Sequence, residues 1–292
     1  MTKASVTFFL VFWSACQLVQ AQSFSFTQKL EEEMANFGGE TGLYVEHLAS
    51  GEIFAIRADS LFPTASVIKV PIMVGIFKQI HDKKLELDTA LLYRDSIRYG
   101  GSGLMQYFKD STETDLATLL SLMIGYSDNT ASLWCQELAG GGQEINKLLD
   151  SLGLEHTRVN SRTAGRQEAW EKYGWGQTSP REMVSLLRMI RHEELFSPEL
   201  SQKMYRLMSN VIYDNYALSA IPPYIQTASK QGMVSSSRSE LVMVNGPSGD
   251  YVFYIATKNN RDTTWDEDNE AYRLQRKLSG MLWNYFEAEQ NQ

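Results

Sequence analysis

Segments with two-residue alternation stand at both ends of this chain, and a long helical stretch separates them. Near the start, Leu43, Val45 and His47 alternate with their neighbours, as do Ile53 and Ala55. The turn Ala49-Ser50-Gly51-Glu52 lies between them, so the pair reads as a β-hairpin. From about residue 225 the pattern returns in IQTASKQGMV, SELVMVN and YVFYIATKN. Gly246-Pro247-Ser248-Gly249 supplies a turn between the last two. Short hairpin links favour antiparallel pairing, so the early hairpin and the late strands are expected in one antiparallel sheet. The middle follows a different period. Leu116, Leu119, Leu120, Met123 and Ile124 mark one face of a helix, and Ile145, Leu148, Leu149 and Leu152 another. Ser179-Pro180-Arg181-Glu182 and Ser197-Pro198-Glu199 are helix starts, the first with a capping-box glutamate. A short helix over Thr27 to Phe37 and a last helix carrying Leu274, Leu278, Met281 and Tyr285 close the two ends. Asp266 to Glu270 reads as the acidic first turn of that last helix. The expected class is α+β. A sheet lobe (about 22–62 and 208–292) carries an inserted all-helical lobe (about 63–207), with the active site between them.

The 292 residues suffice for a sizeable core. A formal net charge of −8 argues against nucleic acid as a partner. The first residues are expected to be a secretory signal peptide, 1–21. Lys3 is the positive start, Phe8 to Val19 the apolar run, and Val19-Gln20-Ala21 the cleavage site before Gln22. The mature domain is then 22–292, exported and periplasmic, with no transmembrane helix left. Lipidation at Cys16 is the weaker alternative, because Trp13 stands where a lipoprotein signal has a smaller residue. Removal of Cys16 leaves Cys135 alone, in the apolar stretch SLWCQEL, as a buried small hydrophobe. His47, His81, His156 and His192 show no metal-ligand spacing, and no metal or cofactor is expected.

Three short motifs carry the chemistry. Ser66-Val67-Ile68-Lys69 opens the first long helix, with Thr64 as a plausible N-cap. Positions i and i+3 share a helix face, so the hydroxyl and the amine can meet. Ser127-Asp128-Asn129 lies in a loop between two helical stretches, and Lys230-Gln231-Gly232 on the first late strand. The glycines of YGGSGLMQ fit no phosphate loop and are expected at the mouth of the site.

With these motifs in this order, the chain resembles the class A β-lactamases and the wider penicillin-recognising serine enzymes. The resemblance runs from about residue 27 to the last helix, and Thr178-Ser179-Pro180 adds to it. It implies an acyl-enzyme on Ser66, with Lys69 as its base and Ser127 as the relay to the leaving amine. Lys69 can serve only when neutral, and burial beside Lys230 would favour that. The same resemblance implies that Asn129 holds a substrate amide and that Lys230 faces a substrate carboxylate. Gly232 lets the strand approach the ligand, and the N–H groups of Ser66 and Met233 form the oxyanion hole. Arg238 is a further candidate for a carboxylate. The implied partner is a small molecule, a β-lactam or a peptidoglycan peptide.

Two positions depart from the family pattern. Gln231 stands where Thr or Ser is usual. The loop NSRTAGRQEAWEKYGWGQTSP lacks the Glu-x-x-Leu-Asn motif whose glutamate activates the deacylating water. Ungapped, that position falls near Arg162 or Thr163, and Glu168 and Glu171 are the substitutes within reach. A β-lactamase is the leading reading. A D-alanyl-D-alanine carboxypeptidase and a slowly deacylating acyl trap or sensor are the alternatives.

Overall fold

A computed structural model describes residues 23–287. The expected signal peptide lies outside the described residues. The chain divides into two compact units between Phe37 and Gly38. The first unit contains helix α1, over residues 23–35, with Leu30 and Met34 buried. It begins earlier than the Thr27 expected, and Thr27 Oγ1 donates back to the Ser23 carbonyl.

The second unit holds the remaining elements. Its strands are β1 (Glu40–His47), β2 (Ile53–Ile56), β3 (Phe62–Pro63), β4 (Ala90–Leu92), β5 (Glu113–Asp115), β6 (Arg158–Val159), β7 (Gly176–Thr178), β8 (Thr227–Val234), β9 (Ser237–Gly246) and β10 (Gly249–Lys258). Its helices are α2 (Lys69–His81), α3 (Leu116–Gly125), α4 (Asn129–Leu138), α5 (Gly142–Ser151), α6 (Gln167–Tyr173), α7 (Pro180–Arg191), α8 (Pro198–Met208) and α9 (Glu270–Glu287). The main sheet has the order β2-β1-β10-β9-β8, and every pair is antiparallel. The early hairpin and the late strands therefore join as expected, through β1 and β10.

Helices cover both faces of that sheet. Tyr44 packs against Arg181 of α7, while Phe54, paired with Val45, packs against Tyr285 of α9. Tyr44 and Val45 are neighbours and point to opposite faces, so α7 and α9 lie on opposite sides. The alternation is therefore shallow, and β1 and β10 are buried almost throughout. On the helical side, α2 is the central element. Lys69 to Phe77 is buried at every position, as an all-round apolar helix must be.

The middle of the chain is not all-helical, and α7 within it packs on β1 and β10 of the sheet. Two small sheets join its helices, β3-β7-β6 and β4-β5. Pro63 lacks an N–H, and β3 accordingly takes an edge of the first. Helix starts otherwise follow the capping residues. The side chains of Asp115, Asp128, Ser179 and Ser197 each accept a first-turn N–H. Thr64 makes no such bond, because the segment after it is a 3-10 turn, Ala65–Ile68. The acidic run 266–268 precedes α9 and is not its first turn. Asp262 Oδ2 accepts the Glu270 N–H instead, at 2.8 Å.

Candidate active site

Ser66 lies in the 3-10 turn that leads into α2, between the buried helix and strand β8. Ala65 enters that turn at φ +43°, a left-handed conformation that costs a non-glycine residue energy. The strand presses hard on the turn. A Cβ at Gly232 would come within 2.2 Å of the Thr64 carbonyl oxygen and 3.0 Å of the Ser66 nitrogen. No side chain fits there, so glycine is required by close approach and not by its φ.

Ser127 is a second strained residue, at φ +52°. Asp128 fixes it from behind. One carboxylate oxygen accepts the Ala131 N–H and caps α4, and the other accepts the Leu104 and Met105 N–H groups. The glycine-rich loop 100–104 is thereby fastened against the Ser127 turn. Asn129 is the first residue of α4 and not a loop residue, but its side chain still reaches the site.

The three motifs converge on Ser127. Lys69 Nζ lies 3.1 Å from Ser66 Oγ, 3.2 Å from Ser127 Oγ, 2.6 Å from the Ser127 carbonyl and 2.9 Å from Asn129 Oδ1. Lys230 Nζ approaches Ser127 Oγ from the sheet side, at 3.1 Å. One serine hydroxyl thus bridges two amines that are both fully buried. Burial is what lowers the Lys69 amine, to about 7, and Asp128 opposes the shift. Burial also lowers Lys230, with Lys69 beside it acting in the same direction. An amine near 7 is neutral often enough to take a proton from Ser66.

A cavity of about 370 Å³ opens over these groups, lined by Ser66, Ser127, Asn129, Gln231 and Met233, with Ser102, Tyr213, Tyr216 and Trp265 as its rim. Ser66, Lys69, Ser127, Asn129, Lys230 and Met233 are thus gathered here, with Gly232 against the Ser66 turn. Arg238 stands apart. It is fully buried, with Trp265 4.4 Å and Tyr272 5.2 Å from its guanidinium carbon, and it donates to the Thr264 and Ser237 carbonyls.

Neither substitute glutamate reaches Ser66. Glu168 and Glu171 sit on α6 with exposed side chains, and Glu171 accepts from Gln167 at 2.9 Å. Trp175 occupies the loop side of the centre instead, with its ring 5.7 Å from Lys69 Nζ and edge-on to Tyr99. Beyond it lies a second cavity of about 610 Å³, walled by the 160–175 loop, that does not contain Ser66.

Sequence reasoning missed Trp175, Tyr213, Tyr216 and Trp265. It also missed Glu240, a carboxylate with no exposure that stands opposite Gln231 across β8 and β9. Glu240 accepts the Ala217 N–H at 2.6 Å, and burial raises it to about 8.

A buried amine shared by two serines, with a second amine behind it, is the centre of an active-site-serine hydrolase. The chain belongs to the Beta-lactamase enzyme family, whose sequence model matches residues 25–286. It is similar to β-lactamase SME-1 of Serratia marcescens, 28% identical over 46% of this chain and 44% of that one. With β-lactamase VEB-1 of Pseudomonas aeruginosa it shares 19% identity over 91% of this chain and 92% of that one. Among solved structures it is similar to PBP-A, with a TM-score of 0.81 and 27% identity over 90% of this chain and 96% of the other. A class A β-lactamase from Mycobacterium abscessus has the same fold, at a TM-score of 0.79 and 22% identity over 89% and 99% of the two chains. Among the described residues no helix is long and apolar enough to cross a membrane, and no cluster of three or more His, Cys, Asp or Glu could hold a metal.

Proposed function

We propose that this protein opens β-lactam rings through an acyl-enzyme on Ser66. The observation that carries the reading is the single amine, Lys69, within hydrogen-bond reach of both Ser66 and Ser127. Neutral Lys69 takes the proton as Ser66 Oγ bonds to the lactam carbonyl carbon. The developing oxyanion is met by the Ser66 and Met233 N–H groups. The proton then passes through Ser127 to the leaving nitrogen as the C–N bond breaks. Water finally cleaves the ester and restores Ser66. A mutant of PBP-A has been solved as an acyl-enzyme complex with penicillin G, and this supports the first half of the cycle by similarity.

The second half is expected to be slow. Trp175, and no carboxylate of the 160–179 loop, faces Lys69. That observation keeps two neighbouring readings alive, a D-alanyl-D-alanine carboxypeptidase and an acyl trap. Purified protein assayed with a panel of chromogenic cephalosporins and a D-alanyl-D-alanine pentapeptide separates them. Repeated turnover of the cephalosporins supports the β-lactamase reading. Release of D-alanine without lactam turnover replaces it with the peptidase.

Export belongs to the same reading, with cleavage after Ala21 and a periplasmic mature chain. An exported protein whose N-terminal sequence does not begin at Gln22 would count against it.

A further inference from the structure

An ammonium has three donors, and those of Lys230 are all committed within the chain. They go to Ser127 Oγ at 3.1 Å, the Gln231 carbonyl at 2.9 Å and the Gln231 side-chain oxygen Oε1 at 3.1 Å. The last bond fixes the amide. Only the oxygen can face a donor, so the NH₂ group is turned away from Lys230. Gln231 lines the Ser66 cavity, whereas Lys230 does not. None of the nine residues lining that cavity carries a charge. Arg238, the other cation of this region, is held behind Trp265 by its own carbonyl partners.

Glu240 completes the neutralisation. It stands directly opposite Gln231, buried, and interacts electrostatically with Lys230. Burial disfavours charge on both, lowering the Lys230 amine and raising the Glu240 carboxyl. Lys69 from α2, and Tyr216, complete the titratable surroundings of the pair. The result is a leaving-group side walled by an amide and aromatic rings, with its cation capped.

We propose that Gln231 is the specificity-determining residue of this site, and that it suits acyl donors uncharged beside the leaving group, such as esters and carboxamides, in place of carboxylates. This rests on the Ser66 reading above. A substrate carboxylate reaches Lys230 only by displacing the Gln231 amide oxygen from it. An uncharged carbonyl instead accepts from the Gln231 NH₂ and leaves the lysine undisturbed.

Benzylpenicillin and its methyl ester test this, since they differ in that charge and one methyl group. Second-order rates of adduct formation on Ser66 are measured for both compounds, by intact mass, on the full mature chain. Three proteins are compared: wild type, Gln231→Thr and Gln231→Met. Both variants remove the amide oxygen that Lys230 now donates to; the threonine hydroxyl is shorter, and the methionine keeps the side-chain length with only a weak acceptor should the threonine fail to fold. The expected acid-to-ester rate ratio is below one in wild type and rises by about tenfold or more in a folded variant, the scale of one hydrogen bond to a charged group. A wild-type ratio above that, or a smaller rise in every folded variant, overturns the proposal. Absence of any adduct together with no consumption of either compound is a separate result, and it overturns the acyl-enzyme reading itself.

Discussion

The chemistry at residue scale rests on one amine that is cheap to deprotonate. Lys69 is lowered to about 7 by burial, and in the proposed cycle its neutral form is the base. The acylation rate should therefore rise with pH through about 7 and level off above it, in a stopped-flow or quenched time course. Lys69→Arg keeps a cation of similar reach that does not deprotonate, and should lower acylation by about 10³-fold across the whole range. Gly232→Ala forces a methyl against the Thr64 carbonyl and the Ser66 N–H. Acylation should fall by about 10²-fold, the scale of losing an oxyanion donor. Retained activity in that variant would mean that the strand can withdraw from the turn. Much of this centre is legible in the sequence. Ser66 and Lys69 are three residues apart, and local geometry alone brings them together. Glu240 is not legible, because its place depends on the register that sets Gln231 against it. Arg238 also follows that register, and Trp265 and Tyr272, distant in the chain, close over it.

At the scale of elements, the helix α7 and the loop before it decide how the site is walled. Ser179 caps the helix as its sequence suggests, but the Glu182 carboxylate is turned away from the capping box. That carboxylate accepts the His156 and Thr157 N–H groups and the Thr157 hydroxyl, and so ties β6 to α7. Glu182→Ala orphans these donors and should cost about 2–4 kcal/mol in urea unfolding, with little change in acylation. A cost below about 1 kcal/mol would show that water replaces the carboxylate there. The loop itself is held by Arg166, which donates to Asn160 and Gln177. Helical periodicity reads the long elements well, because each must bury a stripe. It misses β3, β6 and β7, which have two or three residues each and no room for a period.

For the whole molecule, the catalytic groups sit where the buried helix α2 meets the edge strand β8. Each side supplies one lysine, and the loop before α4 supplies the serine between them. Such a centre is preorganised for attack by its packing, since none of the three groups is free to move into water. Release is a different matter. The sequence lacks the family glutamate in the loop from Asn160 to Pro180 but leaves Glu168 and Glu171 open; the structure places both exposed on α6, and the tryptophan found beside Lys69 could not be placed from the sequence. Capture faster than release is thus the behaviour that this architecture favours. The most direct test is intact-mass spectrometry of the purified protein during incubation with benzylpenicillin, run beside Ser66→Ala. The account predicts a gain of one penicillin mass on wild type, slow loss of the adduct, and none on Ser66→Ala. An adduct of equal yield on the alanine variant, or no adduct on wild type under conditions where penicillin is consumed, would contradict it.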